Sequence, residues 1–210
     1  MRYMKNLPKT DEKLREKLLS EGWKKIREPR SLGLAILLSF PLALLFGGLV
    51  LWLAYILRPS LFGVFATNSL EITLKFNLQS LLFVLSIYGY MFLHELIHAL
   101  FIPNFYQSDR TFFGINGLFG FVFTTEPIKK GRFLVISVMP FILLSIIPLF
   151  LLDLLGLLNW YIVGLCFINA TGSCVDFLNM FLIGFQVKRK HSIINNGFET
   201  YFSPTKEYNE

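Results

Sequence analysis

The sequence predicts an all-α membrane protein with four transmembrane helices and a β-hairpin between spans two and three. Of its 210 residues, 54% are hydrophobic and only 16% are charged. Several apolar runs reach twenty or more residues, the length that a helix needs to cross a bilayer. We expect a cytoplasmic amphipathic N-terminal segment at 1–30, a membrane-embedded domain at 31–187 and a cytoplasmic tail at 188–210.

The positive charge is bunched beside the apolar runs. Twenty basic and 14 acidic residues give a formal net charge of +6, and basic residues are dense before residue 31 and at Lys188-Arg189-Lys190. Such bunching indicates orientation in a membrane rather than nucleic-acid binding. It predicts a multi-pass membrane protein with both termini in the cytoplasm. Cys166 and Cys174 lie in one apolar segment, eight positions apart, so we expect no disulfide.

The first 30 residues are polar, basic and helix-prone. Thr10 followed by Asp11 and Glu12 indicates a helix start, because acidic side chains favour the first turn. An apolar stripe that includes Leu18 and Trp23 follows. Two interpretations stay open: a helix on the membrane surface and a solvated cytoplasmic extension.

Four apolar segments are the predicted spans, and their approximate bounds are Leu32–Leu57, Leu78–Ile102, Phe133–Leu158 and Trp160–Val187. Pro140 and Pro148 are expected to kink span three, because proline lacks the N–H that a helix uses. Residues 191–210 are polar and are expected to form a loosely ordered tail.

The connection between spans two and three predicts a β-hairpin. Thr111 to Ile115 and Leu118 to Thr124 are apolar runs that flank Asn116-Gly117, the strongest two-residue hairpin signal. Phe119, Phe121 and Phe123 would share one face. Because exposed backbone is not tolerated in lipid, we expect this apolar hairpin to dip into the membrane or line a site, with its backbone covered.

Span two carries the pattern His94-Glu95-Leu96-Ile97-His98 near its end. On a helix His98 lies about 40° around from His94, so both imidazoles project from one face. Two neutral imidazoles bind Zn²⁺, and the adjacent Glu95 can handle protons on the metal-bound water. Ionisable residues within a span are costly and usually functional. The pattern therefore predicts a zinc hydrolase site.

A catalytic zinc of this kind takes three protein ligands and one water. Asp176 is the best candidate for the third ligand. It is the only carboxylate deep within a span besides Glu95, and a charged Asp there needs a partner. Cys174 points about 160° away from Asp176 on a helix, and His191 follows the last span among solvated basic residues. Asn169 lies on the same stripe of span four as Asp176.

The motif His94-Glu95-Leu96-Ile97-His98-Ala99-Leu100 resembles the bacterial zincin peptidases, and the chain is more distantly similar to the site-2 intramembrane proteases. The resemblance implies a zinc metalloprotease of the bacterial cytoplasmic membrane that cleaves membrane or membrane-proximal proteins or peptides, with Zn²⁺ held by His94, His98 and Asp176. It implies that Glu95 activates the water and that Asn169 donates to the developing oxyanion. The hairpin is similar to the one to which site-2 protease substrates pair.

Two other functional classes stay open. A catalytically inactive pseudoprotease would keep the fold and bind membrane partners. A metal-binding or transport protein would use the same ligands as a transit site. Glu95 favours hydrolysis, because metal transport needs no general base. The expected partners are a substrate and the lipid bilayer, with no nucleic acid; the sequence predicts no particular oligomeric state.

Overall fold

The computed structural model describes residues 1–6, 8–66, 77–116 and 119–204. The described chain is mostly helical but also forms two small sheets, so the all-α prediction holds only in part. The elements follow in the order β1 (Arg2–Tyr3), α1 (Glu12–Ser20), β2 (Lys24–Lys25), α2 (Leu32–Leu57), a 3₁₀ helix (Pro59–Ala66), α3 (Leu78–Phe101), β3 (Thr111–Asn116), β4 (Phe119–Thr124), β5 (Ile128–Lys129), α4 (Lys130–Phe141), a π-helical turn (Ile142–Ile146), α5 (Ile147–Leu154), α6 (Trp160–Gly172), α7 (Cys174–Gln186), β6 (Ser192–Asn196) and β7 (Glu199–Phe202).

Four helical stretches are long and apolar enough to cross a membrane: Leu32–Leu57, Leu78–Phe101, Lys130–Leu154 and Trp160–Gln186. They match the four predicted spans to within a few residues at each end. A helix is the expected form of such segments, because its backbone groups bond internally where no water is available. The four helices indicate a membrane protein.

Span three contains a π-helical turn between its two prolines. The π-helical turn Ile142–Ile146 separates α4 from α5, and Pro148 stands in the first turn of α5. Pro148 has no N–H to donate to the carbonyl of Leu144 four residues earlier. The hydroxyl of Tyr90 on α3 donates to that carbonyl instead, at 2.8 Å. Because of the proline, a backbone carbonyl of span three can accept a hydrogen bond from a side chain of span two.

Span four is also broken, although the sequence was interpreted as one continuous helix. Helix α6 ends at Gly172 and α7 begins at Cys174, with Ser173 between them. The Ser173 hydroxyl donates to the Asn169 carbonyl at 2.9 Å, which satisfies an acceptor near the end of α6. Asp176 consequently lies in the first turn of α7, where a carboxylate is stabilised by the helix dipole.

By its contacts the chain divides into two units. We call residues 1–39, 95–139 and 175–210 the sheet unit, and residues 40–94 and 140–174 the helical unit. Helix α3 runs through both, and the boundary falls between His94 and Glu95.

The first sheet of the sheet unit contains the predicted hairpin. Strands β3 and β4 pair antiparallel, from Thr111 opposite Thr124 to Asn116 opposite Phe119. Asn116 therefore ends a strand, whereas the sequence was interpreted as placing it in the turn; the connecting residues 117–118 lie outside the described residues. The register is fixed by the buried Thr111 and Thr124, whose hydroxyls are 3.0 Å apart.

Strand β1 extends this sheet along the outer edge of β3. It pairs parallel to β3, and the Met4 N–H donates to the Phe113 carbonyl at 2.8 Å. A Cβ on Gly114 would lie 1.9 Å from the Met4 carbonyl oxygen, so only glycine permits this close approach. In the described chain β4 forms the other edge, with the strand order β1-β3-β4.

The second sheet has the order β2-β7-β6-β5. Residues 192–202, expected as part of a loosely ordered tail, instead form the β6–β7 hairpin, and Tyr201 is 1% exposed. The apolar stripe of the N-terminal segment packs on it, since Leu18 and Trp23 form one buried cluster with Ile194 and Tyr201. Leu18 and Trp23 of this stripe therefore lie in a protein core.

An ion-paired network fastens the N-terminal segment to β7. The Lys25 ammonium donates to the Glu199 carboxylate at 2.5 Å, and Arg15 lies within 3.9 Å of the same group. Desolvation opposes ionisation of Glu199, but hydrogen bonds from Lys25 and Tyr201 lower the pKa of its carboxyl below the ordinary value. The ionised carboxylate therefore stabilises the folded state.

Candidate metal centre

The predicted metal-binding pattern lies on one continuous helix. His94, Glu95 and His98 are all within α3, so the two imidazoles stand one turn apart on the same face, as the sequence spacing requires. Glu95 is the next residue after the first histidine. The local geometry of the motif thus follows directly from its helical backbone.

In the sheet unit, His98 is held by a backbone carbonyl of α4. Its Nδ1 lies 2.9 Å from the carbonyl oxygen of Ile136. A carbonyl can only accept, so Nδ1 carries the hydrogen and Nε2 has the lone pair that a metal binds. The carbonyl is available because its usual helical donor, the N–H four residues later, is missing at Pro140.

Asp176 lies beside His98 in the same unit. Its Oδ1 is 3.5 Å from His98 Nε2. Two atoms that share a tetrahedral zinc with bonds of about 2.0–2.1 Å lie roughly 3.3–3.4 Å apart. The observed separation therefore fits a carboxylate and an imidazole that bind one metal ion.

In the helical unit, His94 is held by an amide in a matching way. Its Nδ1 lies 2.9 Å from Asn169 Oδ1. The orientation of the amide is fixed because its Nδ2 donates to the carbonyl of Pro140 at 3.1 Å and to the Ser145 hydroxyl at 2.8 Å. His94 Nδ1 therefore donates to Asn169, and again Nε2 has the lone pair. Such outer contacts orient metal-ligating histidines.

Strand β4 approaches Glu95. A Cβ on Gly120 would lie 2.9 Å from Glu95 Cγ, so the glycine lets the strand pass close to this side chain. Val122 and Thr124, which lie on the same face of β4 as Gly120, line a cavity together with His98. The hairpin thus presents one face to Glu95 and His98 in the sheet unit.

The three predicted ligands, His94, His98 and Asp176, form a group that could hold a metal ion. His191, the alternative named from sequence, is not a solvated residue: it is 9% exposed and its Nδ1 lies 2.6 Å from the Ser203 carbonyl. Cys166 and Cys174 are thiols without a disulfide, as predicted. The assignment of zinc to the three ligands remains a prediction.

The residues that support the two histidines were not identified from the sequence. Ser145 is fully buried in an apolar span, and a hydroxyl in such a span was a usable signal. The Ile136 carbonyl gave no side-chain signal, although the proline four residues later indicated an unused acceptor.

The helices and the site together define a class: a membrane protein with a candidate HExxH metal centre. A family model described as "Putative zincin peptidase" matches residues 87–191, half of the chain, so the chain belongs to this family. Membership indicates a zinc metallopeptidase. No match was found among the curated proteins or the solved structures.

Proposed function

We propose that this chain is a membrane-embedded zinc metalloprotease that hydrolyses peptide bonds of membrane or membrane-proximal substrates. One observation carries the proposal: each histidine of the motif has its Nδ1 hydrogen-bonded to an acceptor, and His98 Nε2 lies 3.5 Å from Asp176 Oδ1. A site with oriented imidazoles and a neighbouring carboxylate suits a divalent metal.

His94, His98 and Asp176 would hold the zinc ion. When bound, zinc supplies Lewis acidity that polarises the scissile carbonyl and makes water acidic near neutral pH. The carboxylate of Glu95 takes a proton from the attacking water and delivers it to the leaving amide nitrogen. The hydrolysis is then balanced: water gives its oxygen to the acyl carbon and its two hydrogens leave with the new termini.

Asn169 is assigned a positioning role. Both hydrogens of its amide are donated, to Pro140 and to Ser145, and its oxygen accepts from His94. The resemblance implies that Asn169 donates to the oxyanion. These contacts instead support a role in which Asn169 orients the imidazole of His94. The residue therefore acts through His94.

The substrate would bind as an extended strand on β4. The outer edge of β3 is covered by β1, whereas β4 is an edge strand in the described chain and passes beside Glu95 at Gly120. Main-chain hydrogen bonds along an exposed edge are a common way to bind peptides. An extended backbone also exposes the amide that a helix conceals.

The test is metal content by mass spectrometry on detergent-purified protein. We expect about one zinc per chain in the wild type, and a loss in His98→Ala and Asp176→Ala, because a catalytic site needs three protein ligands. His191→Gln, which changes a histidine outside the proposed ligand set, is the matched control and should retain zinc. A wild type that binds no zinc after reconstitution would end the proposal.

Catalysis is tested with Glu95→Gln. The amide cannot accept the proton, so hydrolysis of a reconstituted peptide library should fall about 10²- to 10⁴-fold, while zinc is retained. Full activity in this variant would contradict the role given to Glu95.

A further inference from the structure

A cavity of about 170 Å³ lies beside two of the proposed ligands, wholly within the sheet unit. It is lined by His98 and Asp176 and by apolar side chains from β4, β5, α4 and the residue that follows α3. Three of the latter, Ile102, Ile128 and Ile136, form a buried cluster. The volume exceeds that of a few water molecules, each of which occupies about 30 Å³. It can therefore take a side chain.

Two polar side chains in the lining are suited to contact a ligand. Ser137 is 5% exposed, Asn179 is half-buried, and both side chains line the cavity. A hydroxyl and a side-chain amide can each donate and accept a hydrogen bond. These two groups can therefore pair with a ligand that both donates and accepts.

The position of β4 relates the cavity to the scissile bond. Gly120 passes Glu95, and Val122, two residues along the same face, lines the cavity together with Thr124. Side chains of paired strands project on the same face at matching positions. A peptide added to β4 would thus place one side chain toward the cavity about two residues from the residue opposite Gly120.

We propose that this cavity is a substrate subsite for an uncharged polar side chain: glutamine, asparagine, serine or threonine. The inference rests on the proposed peptidase function. The apolar wall suits the stem of such a side chain, and Ser137 and Asn179 pair with its tip. An aliphatic side chain of the same size leaves both groups unpaired, which is how polar sites reject apolar analogues. In the described lining no lysine or arginine is present to bind an acidic side chain.

The test uses a random library of twelve-residue peptides. Peptides retained by immobilised, zinc-loaded Glu95→Gln protein are sequenced by mass spectrometry, and the sites that wild type cleaves in the same library are profiled in parallel. We expect glutamine, asparagine, serine and threonine to be enriched roughly five- to tenfold over leucine at one position, as one or two hydrogen bonds provide.

Two variants remove the polar groups, Ser137→Ala and Asn179→Leu, each also combined with Glu95→Gln. Both should lose the enrichment while zinc content stays unchanged, which shows that the fold is retained. Ser20→Ala, an exposed hydroxyl at the end of α1, is the control and should keep it.

The outcomes separate the two proposals. If wild type cleaves the library without a polar preference, or if the preference survives both variants, the subsite proposal is wrong and the peptidase proposal is unaffected. If wild type cleaves nothing and the Glu95→Gln protein retains no peptide, both proposals are wrong.

Discussion

The contact between Asn169 and His94 gives a prediction whose size can be worked from the structure. Asn169→Leu removes the acceptor 2.9 Å from His94 Nδ1 and the donors to Pro140 and Ser145. Loss of such an outer contact typically lowers metal affinity 10- to 100-fold. At 1.36 kcal/mol for each factor of ten, this is about 1.4–2.7 kcal/mol of binding free energy.

A second variant separates orientation from stability. Asn169→Asp keeps an acceptor for His94 Nδ1 but cannot donate to the Pro140 carbonyl. We expect its zinc affinity to stay near that of wild type, while its stability without metal falls by about 1–3 kcal/mol, the cost of a buried unpaired acceptor.

The assay is competition for zinc with a chromogenic chelator in detergent, with thermal unfolding of the metal-free protein alongside. Thr171→Val is the control, because in the described chain that hydroxyl bonds carbonyls of its own helix, those of Phe167 and Ile168. Zinc affinity of Asn169→Leu within about twofold of wild type would refute the positioning role.

Three further outcomes are expected. Gly120→Ala places a Cβ 2.9 Å from Glu95 Cγ, so peptide hydrolysis should fall roughly 10- to 100-fold with zinc content unchanged; unchanged hydrolysis would contradict the close approach. Pro140→Ala restores an N–H that competes for the Ile136 carbonyl, so zinc affinity should drop by up to about tenfold in the chelator assay; an unaltered affinity would remove this carbonyl from the site. Because the pKa of Glu199 is lowered in the folded state, its stabilisation is present above the ordinary value of 4.5 and is lost as pH falls through the folded pKa. The unfolding temperature of Glu199→Gln should thus change less than that of wild type between about pH 6 and pH 3, and equal changes would refute it.

The second β-hairpin shows which local signals the sequence interpretation missed. In Asn196-Gly197, Asn196 ends β6 and Gly197 begins the connection to β7; Gly197 has a φ of +62°, the left-handed conformation that glycine favours. The same dipeptide signal predicted the first hairpin. The surrounding polar residues led to the expectation of a tail.

The register of the first hairpin, by contrast, is a feature that local signals did not specify. Its strands were predicted, but the pairing of Thr111 with Thr124 depends on burial of both side chains within the sheet unit. The turn signal alone placed Asn116 in the turn. It therefore favoured a strand pairing shifted from the observed one, in which Asn116 ends a strand. Register is set by which face becomes buried, and burial is a property of the packed chain.

The sequence by itself determined the four apolar spans, the hairpin strands and the presentation of His94, Glu95 and His98 on one helical face. These features are local, because the helical period and the length of an apolar run are written in consecutive residues. Only the tertiary structure decided that His98 meets the Ile136 carbonyl and Asp176, and that His94 meets Asn169. Those partners lie 38 to 78 positions away in the chain. Which of them come together depends on how the helices pack, and no run of consecutive residues specifies that packing.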